Sequence, residues 1–282
     1  MEFLKEIDTL RNRCITIHRS LAKLQEASTL GNPPHSVPLD PRNDLPLFLG
    51  NPSIYIIASE RRSGSHFLAS LLLSSGQAGV PLEYFHARHW EERLAWSGAP
   101  SADTFCQLIQ CRTSSNGVFG VKAHWAQYAY ACRLGLEAVL RQSKFVRITR
   151  RDILAQAISL VIAQQSGSWI CEQATTAQPI YSMTSIRNAI LSLQAEKKHW
   201  ERYLALNSIQ HITLEYEDLC RDGQAQVRGV CEHLGIRACP RIQSLLKVQR
   251  GRINEEWRQR YKEDSASNPV LAEEIMTDAV FE

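Results

Sequence analysis

The strongest constraint on what this chain can fold into is a short apolar run, Ile54–Ala58, that leads straight into a polar loop. Nearly continuous apolar runs of this length are typical of strands buried on both faces of a parallel sheet. The loop, Ser59–Ser65, is rich in serine and arginine, and the apolar spacing beyond it predicts a helix that ends near Gly76. The main domain therefore opens with a strand, a loop and a helix.

The same order of elements recurs along the chain. Residues 117–122, 145–149 and 209–214 predict three further strands, and helices are predicted from Asp152 to about Gln165 and over Ala225–Leu234. Strands that alternate with helices form mainly parallel sheets that are covered on both faces. We therefore expect an α/β protein with a P-loop-like, three-layer fold, in which helices flank a central, mainly parallel sheet.

Residues 1–50 show a different pattern. Apolar side chains recur at helical spacing from Phe3 to Leu24, and a proline-rich run follows up to Pro46. This pattern predicts a helical arm and a linker, while residues 51–282 are long enough for one α/β domain. We expect the arm to pack on its own domain, and pairing with a second copy in a homodimer is the alternative.

The charge balance argues against a general polyanion-binding surface, since 32 Lys and Arg against 29 Asp and Glu leave a net charge of only +3. Apolar stretches such as Ile153–Ala163 are too short or too polar to cross a bilayer, which needs about 20 apolar residues. The first residues, Met-Glu-Phe-Leu-Lys-Glu, lack the basic and apolar regions of a signal peptide. We expect no nucleic-acid partner, no membrane span and a cytoplasmic location.

Metal chemistry is not indicated by the sequence. The eight cysteines form no Cys-x-x-Cys pair, and the nine histidines form no His-x-x-x-His or His-Glu-x-x-His pattern. We therefore expect free thiols and no bound metal.

The loop Ser59–Ser65 fits an anion-binding site. A strand that ends in a Ser/Gly turn and opens a helix offers backbone N–H groups and the positive helix end to a phosphate. Arg61 and Arg62 add forked donors, and the hydroxyls of Ser63 and Ser65 add two more. The loop lacks the Gly-x-x-x-x-Gly-Lys-Ser/Thr signature, which disfavours an ordinary ATPase or GTPase. Taken alone, the segment is also compatible with an exposed turn that carries solvated arginines.

A second basic junction follows the strand at 145–149. Arg150 and Arg151 come directly after that strand, and Asp152 is a natural N-cap for the next helix. Ser159 lies about two turns further, about 10 Å along the helix axis, where an arginine folded back along the helix can share a ligand oxygen with its hydroxyl. Ser159 is equally suited to simple packing. Two basic junctions predict sites for two phosphates.

Four segments, taken in order, resemble the bacterial trehalose 2-sulfotransferase family. They are the loop with Gly79-Val-Pro-Leu-Glu-Tyr-Phe85 after it, Gly117–Trp125, Arg150–Ser159 and Asn254–Tyr261, and the resemblance spans roughly residues 52–265. The loop is more distantly similar to the Lys-Ser-Gly-Thr-Thr-Trp loop of cytosolic sulfotransferases, with Arg62 at the lysine and Phe67 at the tryptophan. Tyr216-Glu-Asp resembles a segment that lies near the adenine in those enzymes.

The resemblance implies that the sulfuryl donor is 3′-phosphoadenosine-5′-phosphosulfate (PAPS), which leaves as 3′-phosphoadenosine-5′-phosphate (PAP). By that resemblance, Arg150 and Ser159 hold the 3′-phosphate that distinguishes PAPS from ATP, and Tyr216 lies near the adenine. The residues implied to hold the 5′-phosphosulfate are Arg61, Arg62, Ser63, Gly64, Ser65 and His66, with Phe67 beside them. Arg151 departs from the family pattern, in which a proline tends to follow the first arginine, and is either a second 3′-phosphate ligand or a solvated residue.

The resemblance also implies the chemistry, an in-line transfer of the sulfuryl group to a hydroxyl of a small carbohydrate-like or other metabolite acceptor, without a metal. Glu83 matches the carboxylate base of the family, while Lys122 and Arg62 are expected to stabilise charge on the leaving phosphate. The alternatives are a Glu83 paired with an arginine and a Lys122 in a structural salt bridge. Three histidines are second choices for the base: His66, His86 and His124.

The acceptor is less constrained than the donor. Val80 stands where the trehalose-acting family has a carboxylate, so the motif does not specify trehalose. Four tryptophans either offer flat faces to a sugar or belong to the core, namely Trp90, Trp96, Trp125 and Trp169. The competing functions are an ATP-dependent kinase, for which a loop lysine and a metal-binding aspartate are missing, and a non-catalytic nucleotide-binding module.

Overall fold

A sheet of four parallel strands forms the centre of the protein. The computed structural model describes residues 43–86, 102–169, 177–237, 242 and 251–267. The strands are β1 (Ser53–Ser59), β2 (Val118–His124), β3 (Lys144–Thr149) and β4 (His211–Glu215), in the order β2–β1–β3–β4 across the sheet. All three neighbouring pairs are parallel. The four predicted strands are confirmed.

Helices connect the strands and cover the sheet. They are α1 (Ser65–Ser74), α2 (Ala102–Arg112), α3 (Trp125–Ala131), α4 (Glu137–Arg141), α5 (Ile153–Ser166), α6 (Met183–Leu206), α7 (Tyr216–Arg221), α8 (Gly223–Leu234) and α9 (Arg252–Ala266). A π-helical turn, Cys132–Leu136, joins α3 to α4. The predicted helices after the loop, after Asp152 and over Ala225–Leu234 correspond to α1, α5 and α8.

The strand β1 shows why both faces of the sheet must be covered. Tyr55 and Ile57 belong to an apolar cluster with α1 and α8, whereas Ile56 and Ala58 belong to a second cluster on the opposite face, which includes Trp200 of α6. Because successive side chains of a strand point to opposite faces, a strand buried on both sides needs apolar residues at every position. The three-layer α/β fold expected from the apolar runs is therefore confirmed.

The helix α6 has no counterpart among the sequence-based predictions. It is 24 residues long, and the Ser182 hydroxyl caps it by accepting a hydrogen bond from the Ser185 N–H. Its buried side chains are Ile186, Ala189, Ile190, Leu193, Trp200 and Leu204. This apolar stripe is interrupted between Leu193 and Trp200, because the positions that would continue it by helical spacing carry polar side chains.

The end of the linker packs against α2. The Leu45 N–H donates to the Cys111 carbonyl at 2.7 Å, and the Phe48 N–H donates to the Gln110 carbonyl at 3.0 Å. Most of the predicted arm, residues 1–42, lies outside the described residues, so the boundary near residue 50 stays a prediction. Among the helices of the described ranges, none is long and apolar enough to span a membrane.

A buried ion pair ties β3 to the loop that follows β1. Arg147 in β3 pairs with Glu60, and each residue is only 3% exposed. The Arg147 guanidinium also donates to the carbonyl oxygens of Ala58 and Ile148, each at 3.0 Å. Removing one partner of such a pair leaves the other charge buried and unpaired, which costs more than the net contribution of the pair. The pair therefore fixes the point at which the loop leaves the sheet.

We predict that Arg147→Ala lowers the free energy of unfolding by about 3–5 kcal/mol, because the Glu60 carboxylate is left buried without a counter-charge. Urea denaturation monitored by circular dichroism measures the loss. The control is Lys197→Ala, which removes one partner of an exposed pair with Glu201 at 4.0 Å, and it should cost less than about 1 kcal/mol. Equal losses in the two variants would contradict the structural role of the buried pair.

Candidate functional site

The loop between β1 and α1 turns through two residues with left-handed backbone. The φ angle is 62° at Arg62 and 92° at Gly64. A Cβ atom on Gly64 would lie 2.3 Å from Cδ2 of Tyr216, so only glycine fits between the loop and that ring. The Ser63 hydroxyl donates to the Glu60 carbonyl at 2.9 Å and stabilises the turn from within. The first N–H groups of α1 have no partners inside the helix, which suits this end to an anion.

Arg150 joins this loop from the end of β3. Its guanidinium carbon lies 4.7 Å from the centre of the Tyr216 ring, and its Nη1 donates to the Arg62 carbonyl at 3.5 Å. The buried Nε of Arg150 has no hydrogen-bond partner among the described residues. Buried polar groups are normally paired, and a guanidinium pairs most strongly with the oxygens of a carboxylate or a phosphate. The site therefore offers an unsatisfied cationic donor next to the loop.

The Arg62 side chain connects the loop to α5. Its Nε donates to the Ser159 hydroxyl at 2.9 Å, and its Nη1 donates to the Trp169 carbonyl oxygen. The sequence predicted that an arginine from the junction after β3 shares a ligand oxygen with this hydroxyl, whereas in the structure Arg62, from the loop after β1, contacts Ser159. The two predicted anion subsites, at the loop and at Arg150 with Ser159, therefore adjoin.

Arg61 points away from this space and anchors the loop on α6. Its Nε donates to Glu196 Oε1 at 2.6 Å, its Nη2 donates to Ser192 Oγ at 2.6 Å, and its backbone N–H donates to Glu196 Oε2 at 3.2 Å. The Gln156 side-chain amide donates to the Arg61 carbonyl at 2.7 Å. The charge of Arg61 is thus paired, and any contribution to anion binding comes from its main chain.

Arg151 is held by an acidic segment at the start of α7. Its guanidinium pairs with Asp218, and its backbone N–H donates to Glu217 Oε2 at 3.2 Å. Half of the Arg151 side chain is exposed, at 51%. Of the two alternatives given for Arg151, the solvated residue describes this arrangement, since the side chain is half exposed and forms an ion pair on the surface.

A second group of polar side chains surrounds Glu83, which follows a short bridge between Leu82 and Val121 of β2. We call it the Glu83 cluster: Glu83, His66, Lys122, His124 and Gln127. Lys122 Nζ lies 2.6 Å from Glu83 Oε1, and Gln127 Nε2 donates to Oε2 at 2.8 Å. The two imidazoles approach Oε1 less closely, with His66 Nε2 at 3.4 Å and His124 Nε2 at 3.6 Å.

The backbone explains why these side chains meet. Lys122 and His124 are two apart in β2 and therefore point to one face, and the Lys122 N–H donates to the Leu82 carbonyl at 3.0 Å. Gln127 lies in the first turn of α3, where its side-chain oxygen accepts a hydrogen bond from the His124 N–H at 2.9 Å. His66 reaches the cluster from the start of α1, so the cluster and the anion loop share this residue.

The cluster controls the ionisation of its members. Burial disfavours a charged Glu83, but the Lys122 ammonium and the two imidazoles outweigh it and hold the pKa of Glu83 well below 4.5. Partial burial of the ring and the charge of Lys122 lower the pKa of His66 to about 4. Near neutral pH, Glu83 is therefore a carboxylate and His66 is a neutral imidazole.

Comparison with known proteins identifies the family. The model of the Stf0 sulphotransferase family matches residues 54–264. The chain belongs to this family and is a sulfotransferase. A trehalose 2-sulfotransferase of Mycobacterium tuberculosis (strain ATCC 35801 / TMC 107 / Erdman) is 26% identical over 253 residues, which cover 75% of this chain and 95% of the relative.

Two further proteins are similar to this Stf0 sulfotransferase. A trehalose 2-sulfotransferase of Mycolicibacterium smegmatis (strain ATCC 700084 / mc(2)155) is 26% identical over 259 residues, which cover 76% of this chain and 96% of the relative. The solved structure of a sulfotransferase from Alicyclobacillus acidocaldarius aligns with 77% of this chain and 94% of its own, with a TM-score of 0.44 and 14% identity. Family membership favours sulfuryl transfer over the kinase alternative.

The predicted site residues of the Stf0 sulfotransferase fall into two neighbouring groups. The loop, Arg150, Ser159 and Tyr216 form one, and Glu83 with Lys122 forms the other. Glu83 pairs with a lysine and not with an arginine, and the alternative of a salt bridge at Lys122 is what the structure shows. Phe67 packs against the apolar cluster under α1.

The remaining candidates divide between site and core. The His86 backbone N–H donates to the Glu83 carbonyl at 3.4 Å. Trp125 packs against the buried Trp200 with ring centres 5.3 Å apart, as the core alternative expects, whereas Trp169 is 40% exposed beside Arg62. Trp90 and Trp96 lie outside the described residues.

Several contacts of the site were not predicted. Glu196 and Ser192 hold Arg61 across more than 130 positions of sequence, and no local pattern connects them. Gln127 carried a usable signal, because a glutamine three residues after the end of a strand can cap the helix that starts there. Its contact with Glu83, however, depends on the packing of β2.

We predict that the cluster makes the protein sensitive to mild acid. Burial and the charge of Lys122 lower the pKa of His66 in the folded protein from its ordinary 6.5 to about 4, and the pKa of Glu83 is also lower in the folded state. Both groups then bind more protons in the unfolded chain, so stability falls as pH decreases from about 6.5 towards 4. The melting temperature of the wild type should decrease more steeply over this range than that of His66→Asn, and parallel curves would refute the assignment.

Proposed function

We propose that this Stf0 sulfotransferase transfers the sulfuryl group of PAPS to a hydroxyl of a small, carbohydrate-like acceptor. The observation that carries the donor assignment is the buried, unpartnered Nε of Arg150 beside the pair formed by Arg62 and Ser159. These groups give the site a second anion subsite next to the loop. A donor with a 3′-phosphate as well as a 5′-phosphosulfate matches two subsites, and ATP does not.

The remaining contacts to the donor come from the start of α1 and from the residues around Arg150. The start of α1, from Ser63 to His66, supplies N–H groups and the Ser65 hydroxyl to the 5′-phosphosulfate. Arg150 and Ser159 receive the 3′-phosphate, and Tyr216 flanks the adenine. PAPS supplies an activated sulfuryl group, and the chain contributes positioning and positive charge.

We assign general-base function to Glu83, the anion of its cluster. A hydroxyl must lose its proton as it attacks, and a carboxylate near the donor loop can drive that step. Lys122 is proposed to offset charge on the leaving phosphate as well as to fix Glu83. Both oxygens of Glu83 accept a hydrogen bond, from Lys122 and from Gln127, which fixes the carboxylate, and each oxygen keeps a second lone pair for the hydroxyl of an acceptor.

The acceptor is proposed to be a hydroxylated compound, and at least one of its contacts with the protein is proposed to differ from those made by trehalose. The names of the two mycobacterial relatives support a sugar-like compound. Val80, however, is only 2% exposed, and the Tyr84 hydroxyl donates to its carbonyl. This position therefore offers no side-chain acceptor for a sugar hydroxyl. We further propose that residues 51–282 form the catalytic domain. The hypothesis also includes a homodimer and a cytoplasmic location for the protein.

Thermal stabilisation tests the donor assignment. A ligand at about 100 times its dissociation constant adds about 2.7 kcal/mol to stability, so PAP should raise the melting temperature strongly and ATP with magnesium should not. Arg150→Ala should abolish the shift, while Arg151→Ala, a matched control whose side chain pairs with Asp218, should keep it. A larger shift with ATP, or equal losses in both variants, would overturn the proposal.

The same proteins test the enzyme assignment. With radiolabelled PAPS and a panel of hydroxylated metabolites that includes trehalose, the wild type should label at least one compound. Glu83→Gln should retain the PAP shift and lose turnover by about 10²–10⁴-fold, the range of general-base catalysis. Unchanged turnover would remove Glu83 from the mechanism.

A further inference from the structure

The helix α9 reaches the donor side of the site, although it has no part in the function proposed above. It contains the segment Asn254–Tyr261, the last of the four that resemble the family. The side chains of Trp257 and Tyr261 are 3% and 6% exposed and pack against apolar side chains of α5 and α6. This packing places Arg258 at the start of α5, where its Nη1 donates to Asp152 Oδ2 at 2.6 Å.

The Asp152 carboxylate is ionised, and both of its oxygens are engaged. Oδ1 accepts a hydrogen bond from the Ala155 N–H at 2.9 Å, and Oδ2 accepts the one from Arg258. Burial raises the pKa of Asp152, but these two hydrogen bonds and the charges of Arg258 and Arg150 outweigh it and hold that pKa below its ordinary value. Near neutral pH, a negative charge therefore lies two positions after Arg150 in the chain.

A carboxylate at this place is a competitor for the Arg150 guanidinium. Carboxylates and phosphates are both strong partners of arginine, so a free Asp152 would be drawn to the same group as the ligand. In the structure Asp152 pairs with Arg258 instead, and the buried Nε of Arg150 has no hydrogen-bond partner in the ranges that the structure describes. The guanidinium of the proposed 3′-phosphate subsite is therefore kept available.

Two other carboxylates at this junction are held by different means. Asp218 pairs with the guanidinium groups of Arg151 and Arg221. Glu217 accepts hydrogen bonds from the backbone N–H groups of Arg151 and Asp152, at 3.2 and 3.3 Å. The partners of these two carboxylates are close to them in the structure of the junction itself. Asp152 differs, because the charge that holds it comes from a residue 106 positions later in the chain.

We propose that Arg258 is a positioning residue for the donor, which acts by holding Asp152 away from Arg150 and so leaves Arg150 to the 3′-phosphate. The inference rests on the proposed PAPS-dependent function and gives α9 a part in it. Without Arg258, the Asp152 carboxylate would compete with the phosphate for Arg150 and would repel its negative charge. The side chains of Arg258 and Asp152 are 30% and 33% exposed, so their pair contributes little to stability by itself.

Isothermal titration calorimetry of the full chain with PAP and 5′-AMP tests this inference. Arg258→Met keeps the apolar stem of the side chain and removes the charge. It should weaken PAP binding about tenfold, which corresponds to about 1.4 kcal/mol of lost interaction. Binding of 5′-AMP, which has no 3′-phosphate, should change by less than about threefold. If Arg258→Met does not fold, Arg258→Gln serves in its place, since it removes the same charge.

The matched control is Arg260→Ala, which removes one positive charge from the same helix. The Arg260 guanidinium lies 4.2 Å from the centre of the Tyr181 ring and has no contact with Asp152. This variant should keep the preference of the wild type for PAP over 5′-AMP. The same loss of preference in Arg260→Ala and in Arg258→Met would show a general effect of charge and would overturn the inference.

A double variant distinguishes the proposed role of Arg258 from simple support of the fold. Asp152→Asn removes the competing charge, and asparagine caps a helix about as well as aspartate does. Combined with Arg258→Met, it should restore the preference for PAP to within about threefold of the wild type, because the two residues act as a pair. A purely structural role predicts no recovery, since asparagine does not replace the lost contact with α9.

The outcomes separate this inference from the proposed function. An unchanged preference for PAP in Arg258→Met, equal losses for PAP and 5′-AMP, or no recovery in the double variant would each overturn the role of Arg258 and leave the donor assignment standing. If the wild type itself binds PAP no more tightly than 5′-AMP, the donor assignment fails, and the inference fails with it.

Discussion

The site depends on one close contact, that of Gly64 with the ring of Tyr216. Gly64 has no Cβ, and a Cβ there would overlap that ring. The absence of this atom allows the loop after β1 to lie directly on the start of α7. Tyr216 in turn carries the guanidinium of Arg150 on its face. A single packing contact thus assembles the ends of β1, β3 and β4 around one space. In open parallel sheets this edge, at the carboxyl ends of the strands, is where ligands bind.

The second constraint is the burial of Lys122. An ammonium group without solvent needs a fixed counter-charge, and Glu83 supplies it. The same ion pair keeps Glu83 ionised and holds it in place, which suits the carboxylate to the general-base role proposed for it. The burial of Lys122 therefore requires the same carboxylate that is proposed to take part in the chemistry of the site.

The sequence predicted the features that depend on local pattern. Four residues of the apolar run, Tyr55–Ala58, are buried on both faces of the sheet, and the Asp152 side chain caps α5 by accepting a hydrogen bond from the Ala155 N–H, as expected from its position. The fold follows from such patterns because a strand buried on both faces is almost wholly apolar and a helix often begins at a recognisable cap. The family resemblance added the candidate residues of the site.

The contacts between distant segments could not be predicted in this way. The sequence gives no sign that Arg61 binds Glu196 on α6 or that Arg62, and not Arg150, meets Ser159. Arg147 in the middle of an apolar strand was a usable signal, since a charge there requires a buried partner. Its partner Glu60 is identified only by the register of β1 and β3.

The account rests on two adjoining anion subsites, and isothermal titration calorimetry with PAP and 5′-AMP tests this most directly. The two ligands differ by the 3′-phosphate alone. Two charge-assisted hydrogen bonds at about 1.5–3 kcal/mol each predict that PAP binds at least about 100-fold more tightly, and that Arg150→Ala removes most of this difference. Equal affinities of the wild type for PAP and 5′-AMP would contradict the account.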